Sequence, residues 1–175
     1  MPRETAFRRE VGTKVIKPSW IVQAERFIGL KEIKGSEHNS EILQWWKDIK
    51  RSGIKDDETP YCAAFVGAML ERSGIKSTRF EGALSYLEWG SDLTAPIYGC
   101  VVVFSRSGGG HVGFVVGEDE NGRLMVLGGN QGDAVSVAPF DRARVAGYRW
   151  PDGIGMNTDP LPIIASNAMS STNEA

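Results

Sequence analysis

Cysteine and histidine are scarce in this chain, with two of each among 175 residues. Cys62 and Cys100 cannot build a disulfide framework, and His38 and His111 supply no closely spaced set of zinc ligands, so neither a stapled scaffold nor a metal cofactor is expected. Long apolar runs are missing too. The start, MPRETAFRREVGTKVIKPSW, is basic but contains no stretch with the length of a signal peptide, and no later segment approaches a membrane span. The expectation is a chain made in the cytoplasm that would reach any other compartment by separate machinery. Excess positive charge is likewise absent. A formal net charge of -2 offers no basic surface of the kind that displaces counterions from nucleic acid.

What remains is an ordinary globular composition, 41% hydrophobic and 24% charged, enough for one domain with a real core. Residues 1–17 lack a sustained period and read as an arm, residues 18–151 as the domain. Residues 152–175 turn to Gly, Pro, Asn, Ser and Thr and read as a loose tail, interrupted by the apolar LPII at 161–164, which would dock either on the domain or on a partner.

Within the domain, Pro18 and Ser19 introduce Trp20, Ala24, Phe27 and Ile28 at helical spacing. Asn39 or Ser40 would cap a second helix with Ile42, Trp45, Trp46 and Ile49 on one stripe. A third helix is expected from about Pro60, turning Phe65, Val66, Met69 and Leu70 inward until Gly74, and ALSYLEWG at 83–90 reads as a shorter helical stretch. After Pro96 the period changes. CVVVFS, HVGFVVG, RLMVLGG, DAVSVAP and VAGYRW are short β-rich runs separated by Gly-rich or Asn-Gly turns, which predicts an α+β domain with its helices first and an antiparallel sheet second. The acidic turn GEDENG lacks the alternating ligand spacing of a calcium loop and reads as a hairpin connection.

Chemistry concentrates at DDETPYCAAF, residues 56–65. With Thr59 as cap and Pro60 in the first helical position, Cys62 falls in the first turn. There the helix dipole favours thiolate over thiol and should lower the pKa of the sulfur. The competing reading is a cysteine that simply packs in the core, as Cys100 at the head of CVVVFS is expected to do. A thiolate nucleophile needs a base that also protonates the leaving amine. His111 opens the strand HVGFVVG and suits that role, with Gly113 on the same strand face leaving room for a substrate. If DENG at 119–122 is the loop, Glu118 faces Arg123 and, carried along both strands, His111 faces Asn130, whose side-chain oxygen would hold the imidazole. A two-residue Asn-Gly turn would bring Gly132 there instead. Cys62, His111 and Asn130 together form a Cys-His-Asn set suited to acyl transfer at an amide.

These segments resemble the NlpC-like and CHAP (cysteine, histidine-dependent amidohydrolase/peptidase) cell-wall hydrolases of bacteria and phages. The matching phrases are DDETPYCAAFV, GHVGFVVGED, LGGNQGDAVSV and GYRWP, with KEIKGSEHN near the start. The resemblance runs over about residues 18–151. It implies a papain-like fold and hydrolysis of an amide bond in peptidoglycan, with Cys62 as nucleophile, His111 as base and Asn130 as orienter, and with Tyr61, Gly113 and Gln131 at the substrate. Where the family pattern has tryptophan before the cysteine, this chain has Tyr61, which keeps an aromatic wall. No glutamine lies just upstream of Cys62, so the backbone N–H of the cysteine is the oxyanion donor that is named. No cofactor is implied. Partners in keeping with the resemblance are peptidoglycan itself and an immunity protein or a particle or secretion component. Two rival functions share the same residues: a catalytically silent wall-binding or particle module, and a processing peptidase acting on a protein.

Overall fold

The structure is a computed structural model, and it describes residues 16–166. Within that range the chain runs through α1 (Ser19–Glu25), α2 (Ser40–Asp48) and α3 (Cys62–Arg72). A 3-10 helix at Ala83–Glu88 follows, then β1 (Ser91–Leu93), β2 (Val101–Arg106), β3 (Gly109–Glu118), β4 (Leu124–Gly128), β5 (Ser136–Phe140) and β6 (Val145–Trp150). This is the expected α+β arrangement, helices first and sheet second. The short edge strand β1 was not anticipated from the sequence.

Each helix is specified locally and then held by packing. The Asn39 side chain accepts from the Glu41 N–H and caps α2, which buries Ile42, Trp45 and Trp46. α3 is apolar on every side because it is covered on every side: Cys62 through Leu70 are all buried. Arg72, at the end of α3, ties it back to α2 through Glu41 and Asp48, each at 2.8 Å.

The start of α3 departs from expectation. Its first residue is Cys62, and Thr59 does not cap it. The Thr59 N–H and hydroxyl both donate to Asp56 Oδ1, at 2.6 and 2.7 Å, so Thr59 closes a turn of its own ahead of the helix.

The sheet has the order β1-β6-β2-β3-β4-β5, with every pair antiparallel. The central strands β2, β3 and β4 are buried on both faces, which explains their near-continuous Val, Phe and Leu runs. The β3–β4 register matches the expected one at Phe114↔Leu127 and Val115↔Val126. It then slips by one residue at a bulge, so that Glu118 faces Leu124 rather than Arg123. The LPII segment lies against the bulged end of β3: Glu118 N–H donates to Pro162 O, and Ile164 N–H donates to Glu118 O. Of the two destinations open for that patch, these residues take the domain. Residues 1–15 of the expected arm, and 167–175 of the expected tail, lie outside the described residues.

Candidate active site

Cys62 is the first residue of α3 and packs between that helix and the sheet, 4% exposed, with a free thiol. Its sulfur lies within hydrogen-bonding reach of the Val112 backbone N–H, so the cysteine sits beside the strand residue that follows His111. The helix-start environment alone predicted a lowered pKa, and the structure reverses that. Burial pushes the Cys62 thiol up, and the backbone N–H groups of Val112 and Ala63 and the charge of Arg106 recover only part of the shift. The sulfur is therefore held as a thiol near neutrality and needs a base.

His111 is completely buried in a layer of aromatic rings. Phe140 stacks on it at 5.5 Å with an 8° interplanar angle, and Phe104, its cross-strand partner, at 6.2 Å and 21°. Its Nε2 lies 2.9 Å from Gln131 Oε1. The protonation of the ring follows from what surrounds that amide. Gln131 Nε2 donates to Val126 O at 3.2 Å and to Ser136 O at 2.9 Å, and those carbonyls can only accept. The amide nitrogen is thus fixed on their side and its oxygen on the imidazole side. The oxygen also only accepts, so in neutral His111 the proton sits on Nε2 and Nδ1 keeps the lone pair of a base.

The side chain that meets His111 Nε2 is Gln131, the neighbour of the expected Asn130. The register that brings Asn130 opposite His111 holds at Phe114 and Val115, but β4 ends at Gly128 before reaching it. The chain turns out of the sheet there, Asn130 adopts a left-handed backbone with φ 60°, and the next side chain swings back onto the imidazole. Gly128 makes this possible: a Cβ there would lie 2.3 Å from Gln131 Oε1 and 3.3 Å from His111 Nε2.

The three residues expected at the substrate take structural positions instead. Tyr61 is fully buried, its ring 6.0 Å from that of Trp45, so it forms no wall facing a ligand. Space beside Gly113 is filled by β4, where a Cβ would lie 2.5 Å from Val126 Cγ1 and 3.1 Å from Leu127 O. Gln131 is 4% exposed and engaged with His111 and β5.

The open space lies on the other side of the cysteine. A cleft of about 410 Å³ is lined by Cys62 and Pro60, by Phe80, Leu84 and neighbouring residues at the start of the 3-10 helix, and by Arg106, Gly109 and Gly110 of the β2–β3 hairpin. Sequence reasoning passed over Phe104, Phe140 and Arg106. A hairpin count across the Ser-Gly turn between β2 and β3 pairs Phe104 with His111, but no local signal points to Phe140.

Residues 54–130 match the CHAP domain. The chain is similar to that family over this stretch. This family comprises NlpC- and papain-like cell-wall amidases and peptidases, and helices packed on a six-stranded antiparallel sheet agree with its fold. The CHAP match includes Cys62 and His111 and stops at Asn130, one residue before the side chain that holds the imidazole. No curated protein matches the chain.

A further polar centre is built around Asp57, five residues before Cys62. Asp57, fully buried, accepts from Ile33 N–H and Asn39 N–H, both at 2.6 Å, and from His38 Nδ1 at 3.0 Å. Burial pushes its carboxyl up, but these hydrogen bonds outweigh that and hold it below the ordinary aspartate value. His38 thus has a structural partner in Asp57.

Proposed function

We propose that this protein is a thiol hydrolase that cleaves an amide bond in or next to the stem peptide of peptidoglycan. The observation that carries the reading is the 2.9 Å contact between His111 Nε2 and Gln131 Oε1, on the strand whose next backbone N–H meets the Cys62 sulfur; with the Nε2 proton given to that oxygen, Nδ1 is left as the base. The reaction then needs no cofactor. As Cys62 Sγ bonds to the substrate carbonyl carbon, its proton passes to His111 Nδ1, and the developing oxyanion faces the backbone N–H at the start of α3. Collapse breaks the C–N bond, and the imidazolium gives its proton to the leaving amine. Water adds to the thioester, losing a proton to His111, and the acid departs as that proton returns to sulfur.

Its site of action would be the cell wall, reached through host lysis, as part of a phage particle or by injection. A chain used as a toxin would be matched by an immunity protein in the producing cell.

The test is digestion of purified peptidoglycan followed by mass spectrometry of the soluble muropeptides. New fragments released by the wild type and not by Cys62→Ala are expected. The near-complete burial of Cys62 and its raised pKa favour one other reading, a catalytically silent wall-binding module. Equal release by wild type and variant, or none by either alongside wall binding by both, would establish that alternative.

A further inference from the structure

We propose that Phe80 and Leu84 form the specificity wall of the cleft and accept an uncharged alkyl side chain next to the scissile amide, an inference that rests on the amidase reading above. Both residues line the cleft that opens on Cys62. They are 44% and 42% exposed, whereas Phe65, Phe104, Phe114 and Phe140 are fully buried. A single exposed apolar side chain needs no explanation, but this pair is placed against the reacting groups. A Cβ on Gly110 would lie 2.6 Å from Leu84 Cδ2, so Leu84 rests on the backbone of the residue before His111. Next to it Gly109 leaves room, since a Cβ there would meet nothing within 4 Å.

The Phe80 ring is also fixed from both flanks. On one side Arg79 takes a left-handed backbone at φ 52°, a costly conformation for a residue with a side chain. It is tied to α3 by Glu71, whose Oε1 accepts from Arg79 Nε at 2.8 Å and from the Ser77 N–H at 3.2 Å. On the other side Glu81 pairs with Arg51 at 3.1 Å, and the Arg51 guanidinium lies over the Phe80 ring at 5.2 Å. Backbone strain and two ion pairs thus hold an apolar ring at the rim of the cleft instead of in the core. An alkyl side chain against Phe80 and Leu84 gains burial from both, whereas a charged or hydroxylated one gives up water there and gains no hydrogen bond from either. The residue that supplies it stands on the acyl side or on the amine side of the cleaved bond, and the chemistry is the same in both places.

The digestion described above locates the cleaved bond. Synthetic stem peptides spanning it, with alanine, 2-aminobutyrate or serine on the acyl side or on the amine side, separate the two placements when kcat/KM is measured with the full chain. At one of the two positions wild type should gain about fourfold from alanine to 2-aminobutyrate, the effect of one buried methylene. At that same position it should prefer 2-aminobutyrate to serine, which has nearly the same size, by about tenfold. Phe80→Ser should bring this last ratio close to one, with the loss falling on the 2-aminobutyrate peptide, and Phe80→Leu should keep most of it. Leu84→Ser should lower the ratio as well. Calorimetric binding of the same peptides to Cys62→Ala, with and without Phe80→Ser, should show the same preference in Kd without turnover.

A ratio unchanged by Phe80→Ser, with both peptides slowed equally, would overturn the proposal and leave Phe80 a structural part of its loop. A cleaved bond with no alkyl side chain on either side, or wild type that cuts every peptide at the same rate, would overturn it while leaving the amidase reading intact. If the wild type cuts none and Cys62→Ala binds none, both fall together.

Discussion

Replacing Gln131 by leucine removes the acceptor of the His111 Nε2 proton with little change in volume. The bond is 2.9 Å long, between a fully buried ring and an amide that is 4% exposed, so no water takes its place. Losing a buried hydrogen bond and leaving its partner unsatisfied costs about 1–3 kcal/mol. At about 1.4 kcal/mol per decade, a loss confined to the correctly oriented tautomer lowers kcat by roughly five- to a hundredfold, with KM little altered. Stability should fall as well, because Val126 O and Ser136 O lose their donor, and kcat is therefore referred to the folded fraction measured by thermal unfolding. A second readout is independent of turnover. The buried Nε2–H of His111 should give a downfield imidazole proton resonance in the wild type that is lost in Gln131→Leu. Asn130→Gly keeps the left-handed backbone and serves as the comparison, and it should retain the resonance. A kcat within twofold of wild type for folded Gln131→Leu, or loss of the resonance in Asn130→Gly and not in Gln131→Leu, would refute the assignment.

Three further outcomes follow from other parts of the molecule. With His111→Ala the sulfur keeps its buried surroundings without its base, so iodoacetamide alkylation should rise with an inflection above the ordinary thiol value of 9.0, and at pH 7 about 1% or less of Cys62 should be reactive thiolate; an inflection below 8 would contradict the dominance of burial. Asp57 has a folded pKa below its unfolded one, so the stability it supplies is fully present above the unfolded value, about 3.9, and is lost as pH falls through the lower folded value. Asp57→Ala should cost about 3 kcal/mol at pH 7 by leaving two backbone N–H groups without their acceptor, and should flatten the acid limb of a denaturation series below pH 4; an unchanged acid limb would count against it. Gly113→Ala should destabilise by about 1–3 kcal/mol through its clash with Val126, whereas Gly128→Ala, whose Cβ meets Gln131 Oε1, should lower kcat beyond its effect on Tm; equal effects of the two on activity per folded molecule would argue against the Gly128–Gln131 arrangement.

Much of the fold was legible because its cues are local and periodic. The stripe of Ile42, Trp45 and Trp46 behind the Asn39 cap needs only helical spacing, and the β-rich runs after Pro96 need only alternation and turn residues. The boundary of α3 was less legible, since Thr59 can close its own turn on Asp56 as readily as cap a helix. Hairpin counting even gave the right register at Phe114 and Val115, because two compensating details, a longer turn and a bulge, cancel between Glu118 and Val115.

Residue type and element therefore determined that Cys62 opens a helix and His111 lies near the start of a strand, along with the family these segments resemble. Tertiary structure alone decided how the two are used. Whether Cys62 is a thiol or a thiolate depends on how far burial outweighs the helix dipole, and burial is a property of everything packed around the sulfur. Whether Asn130 or Gln131 holds His111 depends on where β4 leaves the sheet. Neighbouring side chains in GGNQGD point in different directions once the backbone turns left-handed at Asn130, and a one-residue difference invisible to pairing arithmetic chooses the partner. Likewise, Arg106 joins the cleft only because the β2–β3 hairpin folds its tip beside the start of α3, 44 positions earlier in the sequence.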